Sequence, residues 1–174
     1  ADGLEEIEAV TNIDVLRRAG IDVVTVALKN NLYVKGDHGI ELKADELIKK
    51  IEVEELSGIV LPGGMPGSKN LKNNSKLLKM IEEVNQNQGL LAAICAAPMV
   101  LEEAGILEKR SATSYPGFDK QMPSCNYQKQ KVVTDGNIIT GRGPGVALDF
   151  AFEIVAYLID GDTAADLKAN MIAD

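Results

Sequence analysis

The sequence has no tryptophan, a single histidine, two cysteines and only 4% aromatic residues among its 174 positions. One histidine without cysteine or carboxylate residues at ligand spacing gives no metal motif. Two cysteines, Cys95 and Cys125, are too few for a disulfide framework and favour a reducing, cytoplasmic location. The core must therefore be aliphatic, which suits a buried parallel sheet covered by helices.

Basic residues are in the minority, since 18 Lys and Arg face 26 Asp and Glu and the net charge is −8. The chain lacks the basic face by which proteins bind nucleic acid. It also lacks an apolar run of about 18 residues, the length that a membrane-spanning helix needs. No signal peptide is recognisable at the start. We therefore expect neither nucleic acid nor a membrane among its partners.

Segments with helical and strand-like spacing of apolar residues alternate along the chain. Helices are predicted over residues 7–18, 45–50, 74–88, 97–104, 146–159 and 163–171, strands over 22–28, 58–61, 89–94 and 112–115, and hairpins over 32–43 and 132–140. This order predicts one flavodoxin-like, doubly wound α/β domain over residues 1–174, with a mostly parallel sheet and helices on both faces. Such a domain normally opens with a strand, so we expect about eight residues of a first strand to be missing from the N-terminus.

Cys95 lies where the predicted strand 89–94 meets the predicted helix 97–104, with Ala93 and Ala97 two residues to either side. Small residues at this spacing resemble a nucleophile elbow, the sharp strand-to-helix turn that exposes a reactive atom. A sulfur at a helix N-terminus is also favoured as a thiolate. A cysteine in an apolar run is equally typical of a small buried hydrophobe, so both interpretations stay open.

Three other segments contain residues of a kind found in functional sites. Gly63 and Gly64 end the strand 58–61, where glycine lets backbone amides approach a ligand closely. Acidic residues begin the first helix, a position where carboxylates commonly serve only as partners of the helix dipole. The glycine-rich segment 141–145 lacks the Lys-Ser/Thr ending of a phosphate-binding loop, so we interpret it as a tight turn.

Taken together, five segments resemble the ThiJ/PfpI superfamily, within the branch of the Parkinson-disease-linked deglycase and the bacterial YajL proteins. They occur in the order of that family and read GLEEIEAV at 3–10, DVLRRAG at 14–20, LPGG at 61–64, AICAAP at 93–98 and GRGPG at 141–145.

The resemblance implies a role for each matching residue. Cys95 corresponds to the reactive cysteine, and Glu8 to a glutamate whose protonated carboxyl hydrogen-bonds the sulfur and lowers its pKa. The amides of Gly64 and Ala96, with Gly63 beside them, correspond to an oxyanion-type pocket. Asp14 and Arg142 correspond to a structural ion pair near the site and the dimer contact.

The sequence departs from this family at Tyr115, which stands before Pro116 where several members carry a histidine. We expect Tyr115 to line the pocket, but its unperturbed pKa of about 10 makes tyrosine a poor base near neutrality. The chain's one histidine, His38, lies in the early hairpin. A Cys–His pair is therefore not expected, and neither is peptidase activity.

The resemblance implies a homodimeric enzyme without cofactor or metal that acts on small reactive aldehydes or glycated groups, converting methylglyoxal to lactate in the manner of a glyoxalase or deglycase. The same residues also suit an oxidative-stress sensor or redox-regulated chaperone that works through oxidation of Cys95. A binding protein with a vestigial site is the third alternative. The sequence does not separate them.

Overall fold

The computed structural model describes residues 1–173. Its helices are α1 (Glu6–Arg18), α2 (Gly67–Lys72), α3 (Ser75–Gln86), α4 (Pro98–Glu103), α5 (Ala147–Leu158) and α6 (Gly161–Asn170). Its strands are β1 (Val26–Ala27), β2 (Tyr33–Lys35), β3 (Glu41–Lys43), β4 (Glu46–Leu47), β5 (Gly58–Leu61), β6 (Leu90–Ile94), β7 (Ser111–Ala112), β8 (Asn126–Tyr127), β9 (Val132–Asp135) and β10 (Ile138–Gly141). Short 3₁₀ turns cover Ile48–Lys50, Val53–Glu55, Asp119–Gln121 and Pro144–Val146.

The main sheet has the strand order β5-β6-β10-β9, in which β5, β6 and β10 run parallel and β9 runs antiparallel. All five residues of β6 are buried, as expected for a strand covered on both faces. The carboxyl ends of the three parallel strands meet at one edge, with Leu61 opposite Ala93 and Gly141 opposite Ile94. Open α/β sheets bind their ligands at this kind of edge.

Helices cover both faces of this sheet, which confirms the predicted flavodoxin-like α/β architecture. Leu91 and Ala93 of β6 pack into a core with residues of α2, α3 and α4. The alternate residues of β6 pack into a second core with α1, α5 and α6, which includes Val15 and Phe150. The period of two along the strand thus divides the aliphatic residues between two layers.

Three small strand pairs lie outside the main sheet: β1 with β4, β2 with β3, and β7 with β8. The predicted hairpins 32–43 and 132–140 are confirmed by the antiparallel pairs β2–β3 and β9–β10. The predicted strand 22–28 is limited to Val26–Ala27, and the strand 112–115 is replaced by Ser111–Ala112. Helix α2 was not predicted.

The predicted helix over 45–50 is wrong, because β4 and a 3₁₀ turn occupy those residues. The cause is a set of hydrogen bonds to Thr25. The Asp45 amide donates to the Thr25 hydroxyl over 2.9 Å, and Asp45 Oδ2 accepts from the Thr25 amide over 2.9 Å. These bonds hold the segment extended beside β1.

Among residues 1–173, no helix is both long enough and apolar enough to cross a membrane.

Candidate functional site

Cys95 occupies a strained turn between β6 and α4. Its φ of +64° lies in the left-handed region that residues other than glycine seldom adopt. Both of its backbone polar groups are fixed, since its amide donates to the Gly141 carbonyl and its carbonyl accepts from the Tyr115 amide, each over 2.9 Å. Strand β10 and the loop after β7 therefore hold the turn in place, and the predicted strand–turn–helix geometry around Cys95 is present.

Glu8 reaches this turn from the first part of α1 and is fully buried. Its Oε2 accepts the Gly63 amide over 2.7 Å. Its own amide donates to Glu5, the N-cap residue of α1, over 2.7 Å. Glu8 Oε1 is buried and makes no hydrogen bond of good geometry within the described residues. A proton on this carboxyl therefore belongs on Oε1, because Oε2 already serves as an acceptor.

Burial raises the pKa of Glu8 to about 7, while the Gly63 amide and the Cys95 thiol act in the opposite direction. A buried carboxylate loses the solvation that water gives to its charge, and one hydrogen bond from an amide does not replace it. Glu8 is thus poised to gain or release a proton near neutral pH, which is the property of an effective acid–base group.

Burial also raises the pKa of the Cys95 thiol, to about 12, and the Glu8 carboxylate adds to this effect. The amides of Gly64 and Ala96 favour the thiolate but do not outweigh it. This direction is opposite to the lowered pKa that the family resemblance implies for Cys95. Helix α4 begins only at Pro98 and has six residues, so its dipole contributes little at the sulfur.

The structure brings the predicted pocket residues together around Cys95. Gly63 binds Glu8, while the amides of Gly64 and Ala96 interact with the sulfur. Gly64 has a φ of +88°, which directs the chain sharply across the end of β5. The arrangement offers a thiol, a carboxyl that titrates near neutrality, and two amide donors beside them.

Tyr115 lies beside the cysteine, although it does not replace a catalytic histidine. Its amide is bonded to the Cys95 carbonyl, and its side chain is 47% exposed. His38 pairs instead with Glu6, over 2.9 Å between Nδ1 and Oε2. That hydrogen bond raises the pKa of the exposed His38 imidazole. The histidine thus helps to bind the β2–β3 turn to α1.

The predicted ion pair between Asp14 and Arg142 is not formed within the chain. Asp14 pairs with Arg18, one turn further along α1, over 2.6 Å. Arg142 donates to the Lys129 carbonyl over 2.9 Å. The spacing of four residues on one helix places Arg18 within easy reach of Asp14, which explains the exchange.

Sequence reasoning missed two residues that hold Glu8. One is the N-cap Glu5, and the other is Asn12, whose side-chain amide donates to the Glu8 carbonyl over 2.7 Å. The sequence spacing could have identified both residues, because Glu5 lies three residues before Glu8 and Asn12 four residues after it, and residues at these distances are neighbours on a helix. Polar residues at positions 5, 8 and 12 mark one buried line along α1.

Comparison with known proteins gives a consistent family. The chain is 38% identical to an Arabidopsis thaliana protein named DJ-1 homolog B over 174 residues, which cover 99% of the chain and 40% of the relative. It is 35% identical to Drosophila melanogaster dj-1beta, covering 99% of the chain and 93% of that protein. A Pyrococcus abyssi protein named as a deglycase is 29% identical, covering 91% of the chain and 95% of that protein. The chain spans less than half the length of the plant relatives it matches.

Solved structures agree with these sequences. The crystal structure of Drosophila melanogaster DJ-1beta superposes with a TM-score of 0.96 at 34% identity, covering 99% of the chain and 94% of that structure. Oxidized DJ-1 of Toxoplasma gondii gives a TM-score of 0.94 at 35% identity, covering 98% and 94%. The model of the DJ-1/PfpI family matches residues 1–157. The family match, the order of the sequence motifs and the fold around Cys95 agree, and the chain belongs to the DJ-1/PfpI family.

Proposed function

We propose that the chain is a cysteine-dependent enzyme that converts small 2-oxoaldehydes, such as methylglyoxal, to hydroxy acids, as a glyoxalase or deglycase does. The observation that supports this most directly is the contact between the Cys95 thiol and a buried carboxyl whose pKa lies near 7. Such a carboxyl can accept the thiol proton as the sulfur attacks and can return a proton in the next step. A relative named as a deglycase supports the same class of reaction.

The proposed reaction needs only water. The Cys95 sulfur attacks the aldehyde carbon, its proton passes to Glu8 Oε1, and Glu8 passes that proton on to the carbonyl oxygen, which gives a hemithioacetal and leaves Glu8 ionised. Glu8 then removes the proton from that carbon and delivers it to the neighbouring carbon, while the hydroxyl proton of the first carbon moves to the oxygen of the second. The first carbon is oxidised and the second is reduced, which leaves a thioester of lactate. Water hydrolyses the thioester and restores the thiol. In this proposal the amides of Gly64 and Ala96, which lie beside the sulfur, also stabilise the oxyanions.

Turnover of methylglyoxal by the purified chain tests this proposal. We expect lactate to form, Cys95→Ala to reduce it to background, and Glu8→Gln to reduce kcat by about 100-fold or more, the usual contribution of a general acid–base group. Cys125→Ser is the matched control and should retain activity, because Cys125 is half-buried against the core of α2, α3 and α4, whereas Cys95 packs in the other core. Equal lactate formation by the wild type and Cys95→Ala would contradict the proposal.

The second candidate function is sensing of oxidants through Cys95. A sulfinate at this position would accept hydrogen bonds from the amides of Gly64 and Ala96. The buried Glu8 carboxyl, when protonated, would donate a further hydrogen bond to it. One solved structure of the family is of an oxidized DJ-1. Stoichiometric oxidation of Cys95 by peroxide, with no lactate formed from methylglyoxal, would favour this function, including a redox-regulated chaperone role.

We also propose that the protein works as a homodimer in the cytoplasm. Ile7 and Val10 on α1 expose 58% and 45% of their surface, which is unusual for neighbouring apolar side chains on one helix. Both cysteines are free, as a reducing compartment requires. Analytical ultracentrifugation of the wild type and Ile7→Lys tests the first point: the dimer should weaken in the variant, and a monomeric wild type would contradict it.

A further inference from the structure

The fold places the ring of Tyr115 at the border of the cysteine turn. The Tyr115 amide is bonded to the Cys95 carbonyl, and the Cys95 amide is bonded to the Gly141 carbonyl. The Tyr115 ring lies over Gly143, two residues further along that same loop. The two segments that position the ring, the Tyr115 backbone and the loop after Gly141, are thus each hydrogen-bonded to Cys95. About half of the Tyr115 surface faces solvent.

Gly143 reveals that this ring position is built into the fold. The φ of Gly143 is 163°, an extended conformation that any residue adopts, so the backbone does not require glycine. A Cβ atom at this position would stand 3.2 Å from Tyr115 Cδ2 and 3.7 Å from Cε2. Glycine at 143 thus lets the ring lie close to the backbone, and a side chain there would shift the ring by a few tenths of an ångström.

The hydroxyl of Tyr115, unlike its ring, is not held in place by the described residues. Among the described residues it makes no hydrogen bond, whereas the hydroxyl of Tyr127 donates to the Ser114 carbonyl over 3.1 Å. The part of Tyr115 that the structure fixes is therefore its apolar ring, with one face against a glycine and the rest accessible.

We propose that Tyr115 determines specificity by holding the aromatic substituent of an aryl 2-oxoaldehyde while its aldehyde carbon is attacked by Cys95. This inference rests on the proposed function and names a substrate class for it. Aromatic rings gain energy from offset or edge-to-face contact beyond the area they bury, whereas a methyl group offers too little surface to use such a wall. The reaction balances as before: phenylglyoxal and water give mandelate.

The decisive quantity is the ratio of kcat/KM for phenylglyoxal to that for methylglyoxal. We expect Tyr115→Ala to lower this ratio about threefold to tenfold, the range of one aromatic contact. Tyr115→Phe should keep the ratio within about twofold, because the ring stays. Gly143→Ala shifts the unchanged ring by a few tenths of an ångström and should lower the ratio less than Tyr115→Ala does. Tyr157→Ala removes another half-exposed tyrosine, on α5, and should have no effect.

An unchanged ratio in Tyr115→Ala would overturn this inference while the proposed function stands. Equal losses in Tyr115→Phe and Tyr115→Ala would also overturn it, because they would assign the effect to the hydroxyl.

A second measurement is independent of turnover. The rates at which 2-iodoacetamide and N-benzyl-2-iodoacetamide alkylate Cys95 are followed by mass spectrometry of the Cys95 peptide. The benzyl reagent should be preferred, and Tyr115→Ala should remove that preference. If the preference is present without any lactate or mandelate being formed, the proposed function fails and the aromatic subsite remains. If the benzyl reagent has no preference, the subsite is contradicted whatever the turnover.

Discussion

Gly63→Ala is expected to abolish the cysteine site and to lower the free energy of unfolding by about 3 kcal/mol or more. A Cβ atom at position 63 would stand 2.6 Å from both Cys95 Cβ and Glu8 Oε2, and 2.9 Å from the Ile94 carbonyl oxygen. Cys95 Cβ and the Ile94 carbonyl oxygen are fixed by the backbone, and Glu8 Oε2, although it ends a side chain, is buried and bonded to the Gly63 amide. The new methyl group therefore displaces the cysteine turn or breaks the hydrogen bond from the Gly63 amide to Glu8, which leaves a buried carboxyl without its donor.

Urea denaturation measures the loss of stability, and the rate of Cys95 alkylation reports the site. Gly161→Ala is the matched control, because a Cβ atom at Gly161 meets nothing within 4 Å and this residue begins α6. The control should be as stable as the wild type or more stable by about 0.5 kcal/mol. A Gly63→Ala protein with stability within 1 kcal/mol of the wild type and unchanged alkylation would show that the turn is more yielding than its contacts indicate.

The cysteine turn and the glycine pair could be predicted from residue types because they are steric requirements, whereas the roles of Glu8 and Ala96 came from the family resemblance. Gly63, Gly64 and the alanines around Cys95 are small where the backbone turns sharply or side chains meet, and such positions tolerate few other residues. The alternation of segments likewise predicted the layers, since each buried strand must be covered by helices. These features are local and appear directly in the residue types.

The features that sequence did not predict depend on contacts between distant segments. The β4 segment is extended because Asp45 bonds to Thr25, which no periodicity reveals. The pKa of Cys95 is a balance among burial, a carboxyl from α1 and two amides, so its direction follows only from their arrangement in space. Asp14 pairs with Arg18 rather than with Arg142 because side chains four residues apart on a helix are neighbours.

Glu8→Gln is expected to gain stability relative to the wild type as the pH rises, by about 3 kcal/mol between pH 4.5 and pH 8. The folded protein keeps a proton on Glu8 up to a pKa of about 7, compared with the ordinary value of 4.5, which applies to the unfolded chain. Across this window the native state binds more protons, so the free energy of unfolding of the wild type falls as the pH rises. Glutamine does not titrate, and its oxygen and amide can contact Gly63 and the Cys95 sulfur as protonated Glu8 does.

Urea denaturation of both proteins at several pH values isolates this term, because all other titrating groups are shared. Glu82→Gln removes an exposed glutamate from α3 and tests whether a lower net negative charge alone produces the trend. A difference between the wild type and Glu8→Gln that does not vary with pH would contradict the raised pKa of Glu8.

The same variant decides how Glu8 acts on the cysteine. If the charged carboxylate opposes the thiolate, as the raised pKa of Cys95 indicates, then Glu8→Gln removes a negative charge beside the sulfur and its pKa falls well below about 12. If Glu8 acts chiefly as a neutral donor that stabilises the thiolate, as the family resemblance implies, the pKa of Cys95 rises in the variant or stays unchanged. Thiolate absorbance followed against pH separates the two, with Cys125→Ser as the common background. A fall assigns to Glu8 the role of a base that takes the thiol proton during attack, and a rise assigns it the role of a donor to a preformed thiolate.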